Sequence, residues 1–162
     1  MSAKIAVLTV LILNNALLCQ ESEQRSAADV MTFSELDNII HNFSSQVEQG
    51  PNYWQFRDGE IQLICVVDTT YDRMRIIAPI IEASELTEEH KDRMLEANFH
   101  SALDARYGIS NGIVYSAFIH PLSSLQESEM RSALKQVSVL AMTFGTSYSS
   151  GALQFGGTQS EN

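Results

Sequence analysis

Four histidines are the side chains best suited to bind a metal ion or to exchange protons near neutral pH. They are His41, His90, His100 and His120. No His-x-x-x-His or Cys-x-x-Cys spacing is present, and His90 and His100, ten residues apart on one predicted helix, lie about 80° from eclipsed. The pattern predicts histidines at the surface or at helix borders, and it predicts no metal site.

Nucleophilic and phosphate-binding motifs are also missing from the sequence. Cys65 lies in one of the most apolar runs of the chain, which predicts a buried structural thiol, because a reactive thiolate needs nearby positive charge and access. The serine-rich segment 146–151 lacks Gly-x-Ser-x-Gly, and no glycine loop leads into Lys-Ser or Lys-Thr. The acids Glu88, Glu89 and Asp92 suit the solvated first turn of a helix. We therefore predict no enzyme, and no cofactor.

The charge balance narrows the range of partners. The chain has 20 acidic and 10 basic residues, which gives a formal net charge of −10. A surface this acidic repels phosphate groups, so the composition argues against nucleic acid and against anionic membranes as partners.

The N-terminus differs in composition from the rest. Lys4 is followed by the apolar run 5–13, which is typical of a secretory signal peptide and too short to span a membrane. We predict a signal peptide at 1–19, an exported (periplasmic or secreted) protein, and no membrane span in the mature chain. Two alternatives stay open: an N-terminal helix of a cytoplasmic protein, and lipidation of Cys19, although Leu18 stands where a small residue would be expected.

The remainder divides into three parts. Residues 20–29 are polar and predict a linker, 30–149 predict one α+β domain, and the Gly-, Ser- and Gln-rich residues 150–162 predict a disordered tail.

Periodicity and turn residues place the elements of that domain. Thr32 and Glu35 have capping-box spacing, and Asp58-Gly59 and Asn111-Gly112 are hairpin-turn dipeptides. The predicted elements are, in chain order, a helix from Thr32, strands at 53–57, 60–67 and 74–80, a helix from Thr87 to about Arg106, strands at 106–109 and 113–120, and a helix from about Ser124. The order αβββαββα predicts an antiparallel sheet packed by helices.

Details within these elements carry further expectations. The strand 60–67 is apolar on both faces and should be central, whereas Pro79 predicts that the next strand is at an edge or bulged. In the second helix the predicted buried stripe consists of Leu86, Met94, Leu95, Phe99, Ala102 and Leu103. Trp54 is the one tryptophan, in a strand expected near a sheet edge, where core packing and partner contact are both open.

The element order and three segments resemble the YbjN-like and type III secretion chaperone-like superfamily over residues 30–148. The segments are Arg75-Ile76-Ile77-Ala78-Pro79-Ile80, Met94-Leu95-Glu96-Ala97-Asn98, and the stretch from Gly112-Ile113-Val114-Tyr115 to Phe144. The resemblance implies a non-enzymatic module that binds other polypeptides. In the superfamily that it resembles, the secretion chaperones act in the cytoplasm as homodimers, with an extended effector segment wrapped over their sheet and helices.

From this we predict an exported, non-enzymatic protein-binding module with a polypeptide partner and a possible homodimer. Binding would use backbone pairing at a sheet edge and apolar pockets at Trp54, Phe56, Tyr115 and Phe118. One alternative is a cytoplasmic chaperone of the type III secretion kind. Another is a small-ligand-binding or hydrolytic domain, which would require polar groups to converge in a pocket; the candidates are His41, His90, His100, Asp92 and Glu96.

Overall fold

The computed structural model describes residues 31–151. The predicted signal peptide at 1–19, the linker at 20–29 and all but the first two residues of the predicted tail lie outside this range. The helices are α1 (Phe33–Phe43), α2 (Glu88–His100) and α3 (Glu127–Met142). The strands are β1 (Val47–Gln49), β2 (Tyr53–Asp58), β3 (Ile61–Asp68), β4 (Arg73–Glu82), β5 (Arg106–Ser110) and β6 (Ile113–His120).

The α+β class and the order αβββαββα are confirmed, with β1 as a short additional strand. All six strands form one antiparallel sheet with the order β1-β2-β3-β4-β6-β5. Two hairpins arise at the predicted turns, where Gly59, Asn111 and Gly112 have positive φ. β3 and β4 lie in the middle of the sheet, and the register of β4 with β6 shifts between Pro79 and Glu82. Pro79 therefore lies at a bulge of a central strand, which is one of its two predicted positions.

The helices begin where the local sequence satisfies their free backbone N–H groups. The Thr32 hydroxyl accepts from the Glu35 N–H and the Glu35 carboxylate accepts from the Thr32 N–H, as the capping box predicts. Thr87 caps α2 in the same way, with His90 in the place of the usual glutamate. The predicted start of α3 near Ser124 is the end of a short 3₁₀ helix (Leu122–Ser124), and the α-helix itself begins at Glu127 after Leu125 and Gln126.

The helices cover one face of the sheet, which we call the inner face. α3 packs on β3, β4 and β6, α2 packs beside β5, and α1 contacts β2 through ring pairs. Strand residues on this face are buried, including Leu63, Cys65 and Ile76. Burial of these apolar side chains against the helices is the main source of stability of the domain.

The second helix differs from its prediction in length and in the face that it buries. It ends at His100, and its buried side chains are Met94 and Ala97. Leu95 and Phe99, which were expected in the buried stripe, are 68% and 78% exposed. The prediction for these two residues was wrong because the helix lies beside the edge of the sheet and contacts it along a narrow stripe.

After α3 the chain turns back on the domain. Ser149 and Ser150 are buried, and the Ser150 N–H and hydroxyl donate to the carbonyls of Ser101 and Ala102. The sequence placed the start of a disordered tail at about Ser150, whereas this residue joins the end of α3 to the end of α2.

Candidate functional site

Three of the four predicted partner-binding residues point into the core. Trp54 is fully buried on the inner face, where its indole Nε1 donates to Asp37 Oδ1 at 2.8 Å and its ring lies 4.4 Å from that of Phe33. Phe56 packs edge-on against Phe43 of α1.

Phe118 is also buried on the inner face, with its ring parallel to that of His120. Trp54, Phe56 and Phe118 therefore expose almost no surface, because α1 and α3 cover the face on which they lie, although Phe118 and Phe56 each line a surface cleft. Tyr115 has the opposite orientation in β6 and is half-buried.

Tyr115 belongs to the other face of the sheet, over which no helix of residues 31–151 packs. The register brings one set of side chains from four adjacent strands to this face. We call it the open face; its central residues are Tyr53, Gln55, Ile64, Val66, Arg75, Ile77, Pro79, Tyr115, Ala117 and Ile119, and the same register places the polar residues Arg57, Gln62, Asp68 and Arg73 toward the strand ends. Most of them are apolar, and an exposed apolar surface on a sheet is a feature of interaction sites.

The register also shows how the open face is arranged. Tyr53 pairs with Val66, Val66 with Arg75, and Arg75 with Ile119, which makes one row across four strands. Three members of this row are exposed, namely Tyr53 at 42%, Ile119 at 56%, and Arg75 between them. A parallel row joins Ile64, Ile77 and Ala117, which are half-buried against one another.

The two edges of the sheet are unequal. At the β5 edge, Asn98 of α2 binds the backbone of Tyr107 twice: Oδ1 accepts from the N–H at 2.7 Å, and Nδ2 donates to the carbonyl at 3.1 Å. The asparagine amide thus takes the place of a neighbouring strand at this residue. At the other edge, β1 has three residues, so it presents little backbone for pairing.

Clefts of about 450 and 330 Å³ lie near these edges. Both are open and shallow. The larger cleft lies between the N-terminal part of α3 and the end of β6, with Asp104, Arg106 and His120 among its lining residues. The smaller cleft lies beside β1.

The side chains expected to converge in an enzyme do not line either cleft. His41 binds the Asp37 carbonyl on α1, and the His90 ring accepts from the Thr87 N–H at the start of α2 and contacts Phe144. Asp92 and Glu96 are exposed on α2. Among residues 31–151 no three His, Cys, Asp or Glu side chains lie close enough together to hold a metal ion.

Two buried groups, the Cys65 thiol and the Tyr107 hydroxyl, have raised pKa values. Burial raises the pKa of the Cys65 thiol to about 12, so the thiol stays protonated and unreactive at neutral pH. Burial also raises the pKa of Tyr107, whose hydroxyl donates to the Leu140 carbonyl at 2.7 Å. Neither group is available for proton transfer with a ligand. Within the described part of the chain, no helix is long and apolar enough to cross a membrane.

Comparison with known proteins shows a likeness at the level of fold. A chain of the ExsC–ExsE complex superposes with a TM-score of 0.52 and 13% sequence identity, over 69% of this chain and 92% of that one. A chain of the HopA1–SchA chaperone–effector complex gives a TM-score of 0.53 and 11% identity, over 67% and 88%. The protein has a type III secretion chaperone-like fold. The predicted resemblance to this superfamily is therefore confirmed for the fold.

Neither a protein-family profile nor a curated protein matches the sequence.

The fold explains which positions the sequence interpretation missed. Arg75, Ile77 and Ile119 on the open face were not candidates, although Ile64 and Val66 had already indicated a second apolar face on β3. The available signal was this alternation, extended to the two neighbouring strands.

Proposed function

We propose that the protein is a non-enzymatic, chaperone-like module that binds an extended polypeptide on the open face. The observation that carries the proposal is the apolar surface of β2, β3, β4 and β6, which no helix of the described chain covers. An extended segment matches a flat sheet in shape, and it can place alternate side chains against rows such as Ile64, Ile77 and Ala117.

The fold supports this function from a second direction. SchA, one protein of a chaperone–effector complex, shares the fold by the comparison above. We extend that role to this chain because its uncovered sheet matches an extended ligand in shape. Tyr115 contacts the ligand directly in our proposal, whereas Trp54, Phe56 and Phe118 hold the strands flat from the inner face.

The same fold favours a cytoplasmic chaperone over an exported relative, because secretion chaperones of this type work in the cytoplasm. We therefore place the cytoplasmic alternative first. Cell fractionation combined with mass spectrometry of the N-terminus tests it. Recovery of the protein from the cytoplasm with residues 1–19 intact supports this assignment, and recovery from the periplasm without them overturns it.

A second copy of the chain is proposed to cover the exposed side of α2. Leu95 and Phe99 are four residues apart on this helix, so they form one apolar stripe, and both are mostly exposed. Neither residue belongs to the open face, so a homodimer formed through this stripe does not use the side chains of the open face.

Polypeptide binding is tested with reduced, carboxymethylated α-lactalbumin, a permanently unfolded chain. It is acidic, so the net charge of −10 on our protein cannot attract it non-specifically. Fluorescence anisotropy measures its affinity for the wild type, for Ile119→Ser on the open face, and for Met142→Ser. Met142 is a matched control because it is an exposed apolar residue on α3, with 63% of its surface accessible.

Ile119→Ser should weaken binding about tenfold, because burial of a half-exposed isoleucine under a ligand contributes about 1–1.5 kcal/mol. Met142→Ser should leave the affinity within twofold. No binding by the wild type, or equal effects of the two substitutions, would refute the open face as the binding surface.

A further inference from the structure

Arg75 is a cation in the middle of an otherwise apolar row. Its register neighbours on the open face are Val66 on one side and Ile119 on the other, and along the same strand Ile77 lies two residues after it and Arg73 two residues before it. The side chain is exposed. In the uncovered protein, water solvates the guanidinium group.

No carboxylate of the described residues forms an ion pair with Arg75. All ion pairs among residues 31–151 lie on helices: His41 with Asp37, Lys91 with Glu88, Arg93 with Glu96, and Arg131 with Glu127. The nearest acid in register, Asp68, stands opposite Arg73, and its Oδ1 accepts the Thr70 and Tyr71 N–H groups of the turn.

The charges of residues 31–151 are distributed unevenly over the domain. Four of the eight basic residues in this range occupy outward register positions on the sheet, namely Arg57, Arg73, Arg75 and Arg106. Only three of the sixteen acids in this range do so: Glu48, Asp68 and Glu82. The sheet side is therefore slightly positive in a protein whose net charge is −10.

We propose that the open face selects an extended polypeptide segment in which an Asp or Glu side chain is flanked by apolar side chains. The carboxylate pairs with the Arg75 guanidinium, and the apolar neighbours pack on Val66, Ile77 and Ile119. This inference rests on the function proposed above and specifies the chemistry of its ligand.

The physical reason is desolvation. An apolar segment that covers the row removes the Arg75 guanidinium from water, and a buried cation without a partner is strongly unfavourable. A carboxylate supplies two oxygen atoms that match the paired N–H groups of arginine and restores the lost interactions. A neutral segment has no such compensation, so the face discriminates against it.

Phosphate is the other anion that an arginine on a flat sheet could bind, so single-stranded nucleic acid is the competing ligand. The overall negative charge disfavours it, because a polyphosphate chain would be repelled by the rest of the surface. Competition by oligo(dT) is therefore included as an outcome of the test.

The experiment uses the full chain and two fluorescein-labelled eight-residue peptides that differ at one position. Both alternate valine with threonine, and a central threonine is replaced by glutamate in one peptide and by glutamine in the other. Anisotropy titrations compare the wild type with Arg75→Gln and with the control Lys135→Gln. Lys135 is exposed on α3 and, among the described residues, has no carboxylate partner, so its substitution changes the net charge by the same amount.

The wild type and Lys135→Gln should bind the glutamate peptide about tenfold more tightly than the glutamine peptide. Arg75→Gln should bind both equally, with unchanged circular dichroism and Trp54 emission. Equal binding of both peptides by the wild type overturns the acidic preference but leaves the open face as a polypeptide site. A preference for the glutamate peptide that survives in Arg75→Gln overturns the role of Arg75. Displacement of the peptide by oligo(dT) overturns the assignment of the ligand to a polypeptide. Failure of the wild type to bind either peptide overturns the inference together with the proposed function.

Discussion

Asn98→Ala should destabilise the domain far more than a half-buried asparagine on a helix would normally do. The substitution removes both hydrogen bonds between the Asn98 amide and the Tyr107 backbone. Tyr107 is buried, so water cannot readily replace the lost partners of its N–H and carbonyl groups. At about 0.5–1.5 kcal/mol each, the two bonds account for roughly 1–3 kcal/mol.

One opposing contribution must be subtracted. Alanine is a better helix former than asparagine by up to about 0.7 kcal/mol. The net loss is then about 1.3 kcal/mol at the middle of that range, which lowers Tm by roughly 4–8 °C in a domain of this size. Asn98→Asp keeps an acceptor for the Tyr107 N–H but turns an oxygen toward the carbonyl, so it should also destabilise.

Urea unfolding followed by the emission of Trp54 measures this loss, since Trp54 is the one tryptophan and is fully buried. Asp92→Ala is the control, because Asp92 is exposed on the same helix; it also removes a carboxylate near the helix N-terminus, so the gain that it shows is a lower bound on the helix-propensity contribution. A loss below about 0.5 kcal/mol after this correction would show that the amide does not support β5, and the account of the sheet edge given above would be incorrect.

Two further predictions concern Cys65 and α2. Burial raises the pKa of the Cys65 thiol from an ordinary value of 9.0 to about 12, so the thiolate forms more readily in the unfolded chain. The contribution of this thiol to the free energy of unfolding is therefore fully present below pH 9 and is lost as the pH rises toward 12. Between pH 8 and 10 the wild type should lose about 1.3 kcal/mol more than Cys65→Ala in urea unfolding, and parallel pH profiles of the two proteins would contradict the assignment. In size-exclusion chromatography with light scattering, the wild type should be a dimer and the double variant Leu95→Gln, Phe99→Gln a monomer, whereas a monomeric wild type at high concentration would refute the α2 interface.

The parts of the fold that were predictable are those with local causes. The capping residues Thr32 and Thr87 and the turn Asn111-Gly112 act within a few residues, so the sequence determines them directly. The alternation of apolar residues in β3 and β4 was also readable from the sequence. It is regular because each of these strands has one face in a continuous core.

The parts that were missed depend on distant contacts. The strand β1 has three residues, and it is held by pairing with β2 that no local pattern of Val-Glu-Gln signals. In β6 the buried face includes Ser116, which interrupts the apolar alternation and gives the open face the more regular pattern.

The orientation of the candidate site residues was predicted less well than the fold. Aromatic residues were chosen as binding anchors, but large aromatic side chains are also the most favourable to bury, and α1 covers Trp54 and Phe56. Whether a strand residue faces a helix or solvent depends on which face receives the helices, and sequence periodicity does not contain that information.

The one-sided packing of the sheet divides each central strand into two sets of positions with different evolutionary constraints. In β3, substitutions at Leu63 and Cys65 change the core, whereas substitutions at Ile64 and Val66 change the proposed ligand surface and leave the helical contacts intact. New ligand preferences can therefore arise one residue away from positions that must stay fixed. Sequences of such proteins can diverge quickly at every second residue of a strand while the architecture is retained.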